Sequence, residues 1–166
     1  RFDRAGLVKM LDVSLGRLGT DHVDALLLHN PLASTLQYSD AIGTLQDLRA
    51  KGKARLIGVS VGSIEVGSVA LKHELDLISL AYNCLYPKLL HRMASQIAAA
   101  GVGVIAHAPL AYGLLADTWS DKRTFGMNDH RPLRWGPAEL SKRVRQREAL
   151  RVAVRGHVTS MREAAL

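Results

Sequence analysis

The sequence has almost no cysteine and no long apolar run, and each absence excludes something. Cys84 is the only cysteine in 166 residues, so no internal disulfide can form, and the composition fits a reducing compartment such as the cytoplasm. No stretch of about 18 uninterrupted apolar residues occurs, so no membrane span and no membrane partner are expected. The sequence opens on Arg1 with neither an initiator Met nor a basic-then-apolar leader, so no targeting segment is visible. His22, His29, His73, His91, His107, His130 and His157 never pair at zinc-ligand spacing, with one another or with Cys84. No metal site is expected.

What is present describes an ordinary globular chain. Hydrophobic residues make up 48% and charged residues 22%, enough apolar mass to bury a sizeable core. The net charge of +7 comes largely from one segment. Lys142, Arg143, Arg145, Arg147, Arg151 and Arg155 lie close together with only Glu148 among them. Such a run reads as the solvated face of a surface helix. It lacks interleaved aromatics and any binding motif, so no nucleic-acid partner is expected.

Apolar spacing alternates between two periods. Leu7, Met10, Leu11, Leu15 and Leu18 recur at helical steps, and Gly19 ends them. Val23–Leu28 is a short, nearly continuous apolar run, as expected of a parallel strand covered on both faces. The alternation then repeats. A helix at Ala41–Leu48 stops at Gly52, and a strand follows at Arg55–Ser60. A short helix around Val66–His73 leads to a strand at Leu77–Asn83. A helix at Leu89–Ala98 closes at Gly101, before a strand at Val102–Ala106. Strands separated by helices argue for a parallel α/β sheet. On length alone an open doubly wound sheet is favoured, because a closed (β/α)8 barrel normally needs about 250 residues.

Residues 116–138 lose the pattern and read as a long loop. The basic helix follows, then Gly156, then an N-cap at Thr159 or Ser160 with Glu163 in capping-box position. The sequence stops at Leu166, about two turns into that last helix, which reads as truncation.

In parallel β/α proteins the working residues gather where strands end. Those positions are His29-Asn30, Ser60, Tyr82-Asn83 and His107 to Gly113. His29 closes the run LLLHNP, where an imidazole can donate to a substrate carbonyl. Pro109, Gly113 and the small residues between them let backbone amides approach an anion such as a pyrophosphate. GVSVG at 58–62 lacks the spacing of a nucleotide-binding glycine loop.

Several blocks, in order, resemble the aldo-keto reductases, and the bacterial branches in particular. SLGRLGTDHVDALLLHNP (14–31) is similar to that family's helix and strand ending in its active-site histidine. LQDLRAKGKARLIGVS (45–60) and AYNCLYP (81–87) are similar to its next two strand ends. GVGVIAHAPLAYGLL (101–115) resembles its loop of the form GVGVIAYSPLAxGLL, and TFGMNDHR (124–131) is similar to a patch beyond that loop.

The resemblance overrides the length argument. It implies part of a (β/α)8 barrel, roughly strands 4 to 7 with their helices, so that residues 1–166 form one incomplete barrel domain. It also implies reduction of aldehydes or ketones with NADP(H), NAD remaining possible.

By the same resemblance His29 is the catalytic-site histidine and Asn30 a candidate substrate contact. Ser60 matches the residue that binds the nicotinamide carboxamide. Ser79 stands at the position of a cofactor-binding glutamine, and Val61 where an asparagine is usual. His107 takes the place of the aromatic ring that stacks on the nicotinamide. Ala108, Pro109, Leu110 and Gly113 match the loop over the pyrophosphate, and Arg131 a cofactor-phosphate contact. The family's catalytic Asp, Tyr and Lys belong to earlier strands. The expected partner is a small carbonyl or alcohol. A catalytically inactive barrel that binds cofactor or a partner protein is the alternative. Should residues 1–166 be the whole product, poor stability or self-association is expected from the open sheet edges.

Overall fold

The computed structural model describes residues 2–166. Its contacts divide into two compact units, one running to Leu80 and including Lys88–His107, the other made of Ala81–Pro87 and Ala108–Leu166.

The first unit opens with helix α1 (Arg4–Leu18), started by the Asp3 carboxylate accepting from Gly6 N. It stops at Gly19, whose φ of 67° is the left-handed conformation of a helix C-cap. α1 buries Leu11 and Leu15 against Leu48, Val8, Val23 and Leu26. Strand β1 (Val23–Leu28) follows with the bounds its apolar run predicts. Next come helices α2 (Ala33–Tyr38) and α3 (Ala41–Ala50), strand β2 (Ala54–Ser60) and helix α4 (Ile64–Ala70). Strand β3 (Leu77–Ala81), helix α5 (Lys88–Ala100) and strand β4 (Gly103–His107) complete the alternation.

The sheet order is β1-β2-β3-β4, with β1–β2 and β2–β3 parallel. A doubly wound sheet reverses its order at a switch point. Strictly sequential neighbours are instead what an arc of a barrel produces. Ile57, Val59, Ile78 and Leu80 are fully buried at its centre, and α3, with Leu45 buried, packs against β2. Asp76 fastens β2, accepting from Ile57 N at 2.8 Å and pairing with Arg49 at 2.9 Å.

Three details differ from the sequence reading. α2 is a helix that the spacing does not announce; it lacks a side-chain cap and is held by burying Ala33 and Leu36. β3 ends at Ala81 rather than Asn83, because the Asn83 side chain accepts from Leu85 N and Tyr86 N and turns the chain. β4 is displaced by one residue and ends on His107.

The second unit corrects the reading of 116–138 as a plain loop. Trp119 and Trp135 are buried with Leu114, Leu115, Leu140 and Met161, and the two indoles meet edge to face at 5.5 Å. The segment therefore carries its own apolar core. Helix α6 (Pro137–Val154) follows, then α7 (Met161–Ala165). Ser160 caps α7 by accepting from Glu163 N, while the Glu163 carboxylate reaches back to Thr159 N at 2.7 Å. Among the described residues no helix is long and apolar enough to cross a membrane.

Candidate active site

In the first unit the strand ends form a polar row. His29 and Asn30 follow β1 directly and both are exposed. Asn30 adopts φ 48°, a left-handed conformation that asparagine tolerates better than most residues. Its amide lies between two neighbours. Nδ2 is 3.3 Å from His29 Nε2, and Oδ1 accepts the Ser60 hydroxyl at 3.1 Å. Ser60 is buried at the end of β2, which makes that bond a fixed strut. The structure thus joins His29, Asn30 and Ser60 in one chain of contacts.

Ser60 stands in register with Ser79 on β3. The Ser79 hydroxyl lies 3.0 Å from Nδ1 of His107, the last residue of β4. Burial pushes the His107 imidazole below its usual pKa, and the positive charge available to His29 pushes it the same way. His107 is therefore a half-buried neutral ring at neutral pH.

In the second unit the predicted anion loop is strained. Ala108, Ala111, Tyr112 and Asp117 have φ of 54°, 46°, 58° and 71°. Non-glycine residues persist in that region only when their surroundings over-determine them. Here they do. Asn83 Nδ2 donates to Ala108 O at 2.9 Å, and Leu114 and Leu115 are fully buried. Arg147 is itself buried, donates to Leu114 O at 3.4 Å and lies 3.7 Å from Asp117. Arg151 forks onto the same carboxylate.

Leu110 (φ −85°, ψ 13°) followed by Ala111 has the right-then-left backbone pattern of an anion-binding nest. Its central amide, Ala111 N, already donates to Ala108 O at 2.9 Å. Pro109, Leu110 and Gly113 are half-buried within this turn.

Arg131 has a carboxylate partner of its own. Its Nε donates to both Asp129 oxygens at 2.8 and 2.9 Å, and the guanidinium stacks on Phe125 and Trp119. That pairing pulls the Asp129 carboxyl down to about 2. An open cavity of about 450 Å³ beside them is lined by Tyr112, Gly126, Asn128, Asp129, His130 and Arg131.

The sequence reading did not assign Asn83, Arg147 or the indoles to the site's support. Asn83 was legible only as a polar strand end. Arg147 was legible only as a member of a basic run expected to be solvated. The structure corrects that for three positions, because Arg147 is buried, Arg151 is ion-paired and Arg143 is half-buried on Glu139. Asp117, which Arg147 and Arg151 share, lies some thirty residues upstream (117 against 147), beyond any helical spacing.

A model of the aldo/keto reductase family matches residues 1–166. The chain belongs to that family. L-galactose dehydrogenase from Arabidopsis thaliana is 35% identical over 118 residues, covering 66% of this chain and 36% of that protein. An aldo-keto reductase from Mycobacterium marinum is 39% identical over 108 residues, covering 63% of the chain and 37% of that protein. Glycerol dehydrogenase from Gluconobacter oxydans superposes with a TM-score of 0.78 at 23% identity, covering 99% of this chain and 51% of that one. At that identity the likeness speaks for fold alone. It settles the architecture: this aldo-keto reductase chain is an α/β arc of a (β/α)8 barrel. The chain spans little more than a third of these curated relatives and about half of the solved neighbour.

Proposed function

We propose that the protein containing these residues is an oxidoreductase that reduces aldehydes or ketones to alcohols with NADPH, or with NADH. Residues 1–166 then belong to a single barrel domain as about its fourth to seventh strands. The catalytic Asp, Tyr and Lys come from strands before them. The observation that carries this reading is the polar row ending four consecutive parallel strands, in a chain of this family.

The residues suit a nicotinamide dinucleotide in their chemistry. In the first unit His107 offers a half-buried flat ring, and the Ser60–Asn30 pair offers hydroxyl and amide groups for a carboxamide. In the second unit the Leu110–Ala111 turn, small at Ala108 and Ala111, has the backbone form that receives a phosphate oxygen. When bound, such a cofactor supplies a hydride. His29 is exposed at the mouth of β1, where its ring N–H polarises a substrate carbonyl, and Asn30 holds the other end of that ring by contact with Nε2. Arg131 is the weakest member, since a phosphate competes with Asp129 for it. The exposed Cys84 thiol supports a cytoplasmic setting.

The test is turnover by the full-length protein with NADPH and a panel of aldehydes, beside His29→Ala. Losing a donor to the developing oxyanion lowers kcat by about 10²–10³-fold. Failure of the wild type to bind either nicotinamide cofactor sinks the reading. A second reading, cofactor binding without turnover, is favoured by Val61 in place of asparagine and Ser79 in place of glutamine. Tight NADPH binding with no reduction of any carbonyl selects it.

A further inference from the structure

Ser79 and His107 are both departures from the pattern the chain resembles, and the structure places them in contact across neighbouring strands, Oγ to Nδ1 at 3.0 Å. Ser79 cannot shift easily. Its flanking residues Ile78 and Leu80 are fully buried, and its backbone is in register with Ser60. His107 has less support of its own. It is the last residue of β4, and Ala108 turns away at once with φ 54°. A fixed hydroxyl on β3 therefore meets a ring at the end of β4.

We propose that Ser79 is a positioning residue for His107, its hydroxyl donating to Nδ1 so that the ring is held in one orientation as the Nε2–H tautomer. The reason lies in histidine chemistry. Half-burial and the neighbouring His29 disfavour the imidazolium, so the ring carries one N–H. Which nitrogen carries it is set by the hydrogen bond the other makes. Nδ1 as acceptor leaves Nε2–H, the tautomer neutral histidine prefers in water, as the outward donor. Resting on the proposal that His107 serves as the cofactor's ring platform, this pair makes good the two departures together. A serine is too short to replace glutamine, but it fixes the smaller ring that replaces a larger aromatic.

The test is read first without cofactor. Side-chain ¹⁵N spectra of the full chain at mildly alkaline pH, with His107 assigned through His107→Gln, give the tautomer directly. The wild type and Ser79→Thr are expected to show an acceptor-type Nδ1 and a protonated Nε2. Ser79→Ala is expected to move both shifts towards a tautomer average. NADPH fluorescence titration is the second readout. Ser79→Ala weakens binding about fivefold, the size of one ordinary hydrogen bond. Ser79→Thr restores it, and in a His107→Phe background Ser79→Ala changes nothing further. A protonated Nδ1 in the wild type overturns the proposal, as does an unchanged ¹⁵N pattern in a folded Ser79→Ala. If Ser79→Ala does not fold, the wild-type tautomer and the Thr variant still decide. If no variant binds NADPH, including the wild type, the cofactor reading fails, while the ¹⁵N pattern still judges the Ser79–His107 pair.

Discussion

Asn83 is the residue on which the turn after β3 and the strained loop after β4 both depend. One buried side chain accepts from Leu85 N and Tyr86 N and donates to Ala108 O. Asn83→Ala strands those groups and is expected to cost about 1–3 kcal/mol, read as a lower urea midpoint. Asn83→Asp keeps the acceptor but loses the donor, so its midpoint should fall between the two. At His107 the prediction concerns protonation. Its folded pKa lies below the ordinary imidazole value, so the folded state resists the proton more than the unfolded chain does. The stabilisation is complete above the unfolded value and is lost as pH falls from there through the folded one. An NMR titration in which His107 titrates at or above free histidine contradicts this.

At the scale of elements, the sheet depends on close approach and the loop depends on charge. Gly58 of β2 lies opposite Leu77 of β3, and a Cβ there collides with the Leu77 carbonyl. Backbone cannot yield as a side-chain end does, so Gly58→Ala forces β2 and β3 apart. The expected outcome is loss of the cooperative melt or a large drop in Tm; an unchanged Tm refutes it. The link between α6 and the loop after β4 is the Asp117 carboxylate, shared by Arg147 and Arg151. Arg147 is buried and keeps Glu148 at 2.7 Å, so Asp117→Ala leaves it half-satisfied rather than alone. A loss of about 1–3 kcal/mol is expected. Amide hydrogen exchange should quicken around Leu114 and Leu115 before it does in β2.

For the molecule as a whole, acid sensitivity is the measurable consequence of its ion pairs. Asp129 beside Arg131 has a folded pKa of about 2, below the ordinary 3.8 of an aspartate. Its stabilisation is full above the unfolded value and is lost as pH falls towards the folded one. Denaturation midpoints should therefore decline between about pH 4 and pH 2, and Asp129→Asn should flatten that part of the curve. Equal slopes in the two proteins would count against the pairing. The sheet has its own vulnerability, because β1 and β4 are edges among the described residues. An apolar groove of about 460 Å³ runs beside β1, lined by Met10, Leu26, Leu27 and Leu45 among others and ending at His29. Where residues 1–166 stand alone, such edges pair readily with other strands.

Much of this was determined by local sequence. The apolar run Val23–Leu28 fixed β1 to the residue, and Gly19, Gly52 and Gly101 ended helices or turns at the positive φ only glycine adopts freely. The strand mouths followed from those bounds, so His29, Ser60 and His107 were legible as candidates before any contact was known. Tertiary structure alone decided the rest. Where Ser79 finds His107 and that Arg147 is buried on Asp117 both depend on residues about thirty positions apart (79 and 107, 117 and 147). Periodicity reports which face of an element is apolar. It carries no information on which distant side chain that face will meet, because pairing is set by packing across the fold.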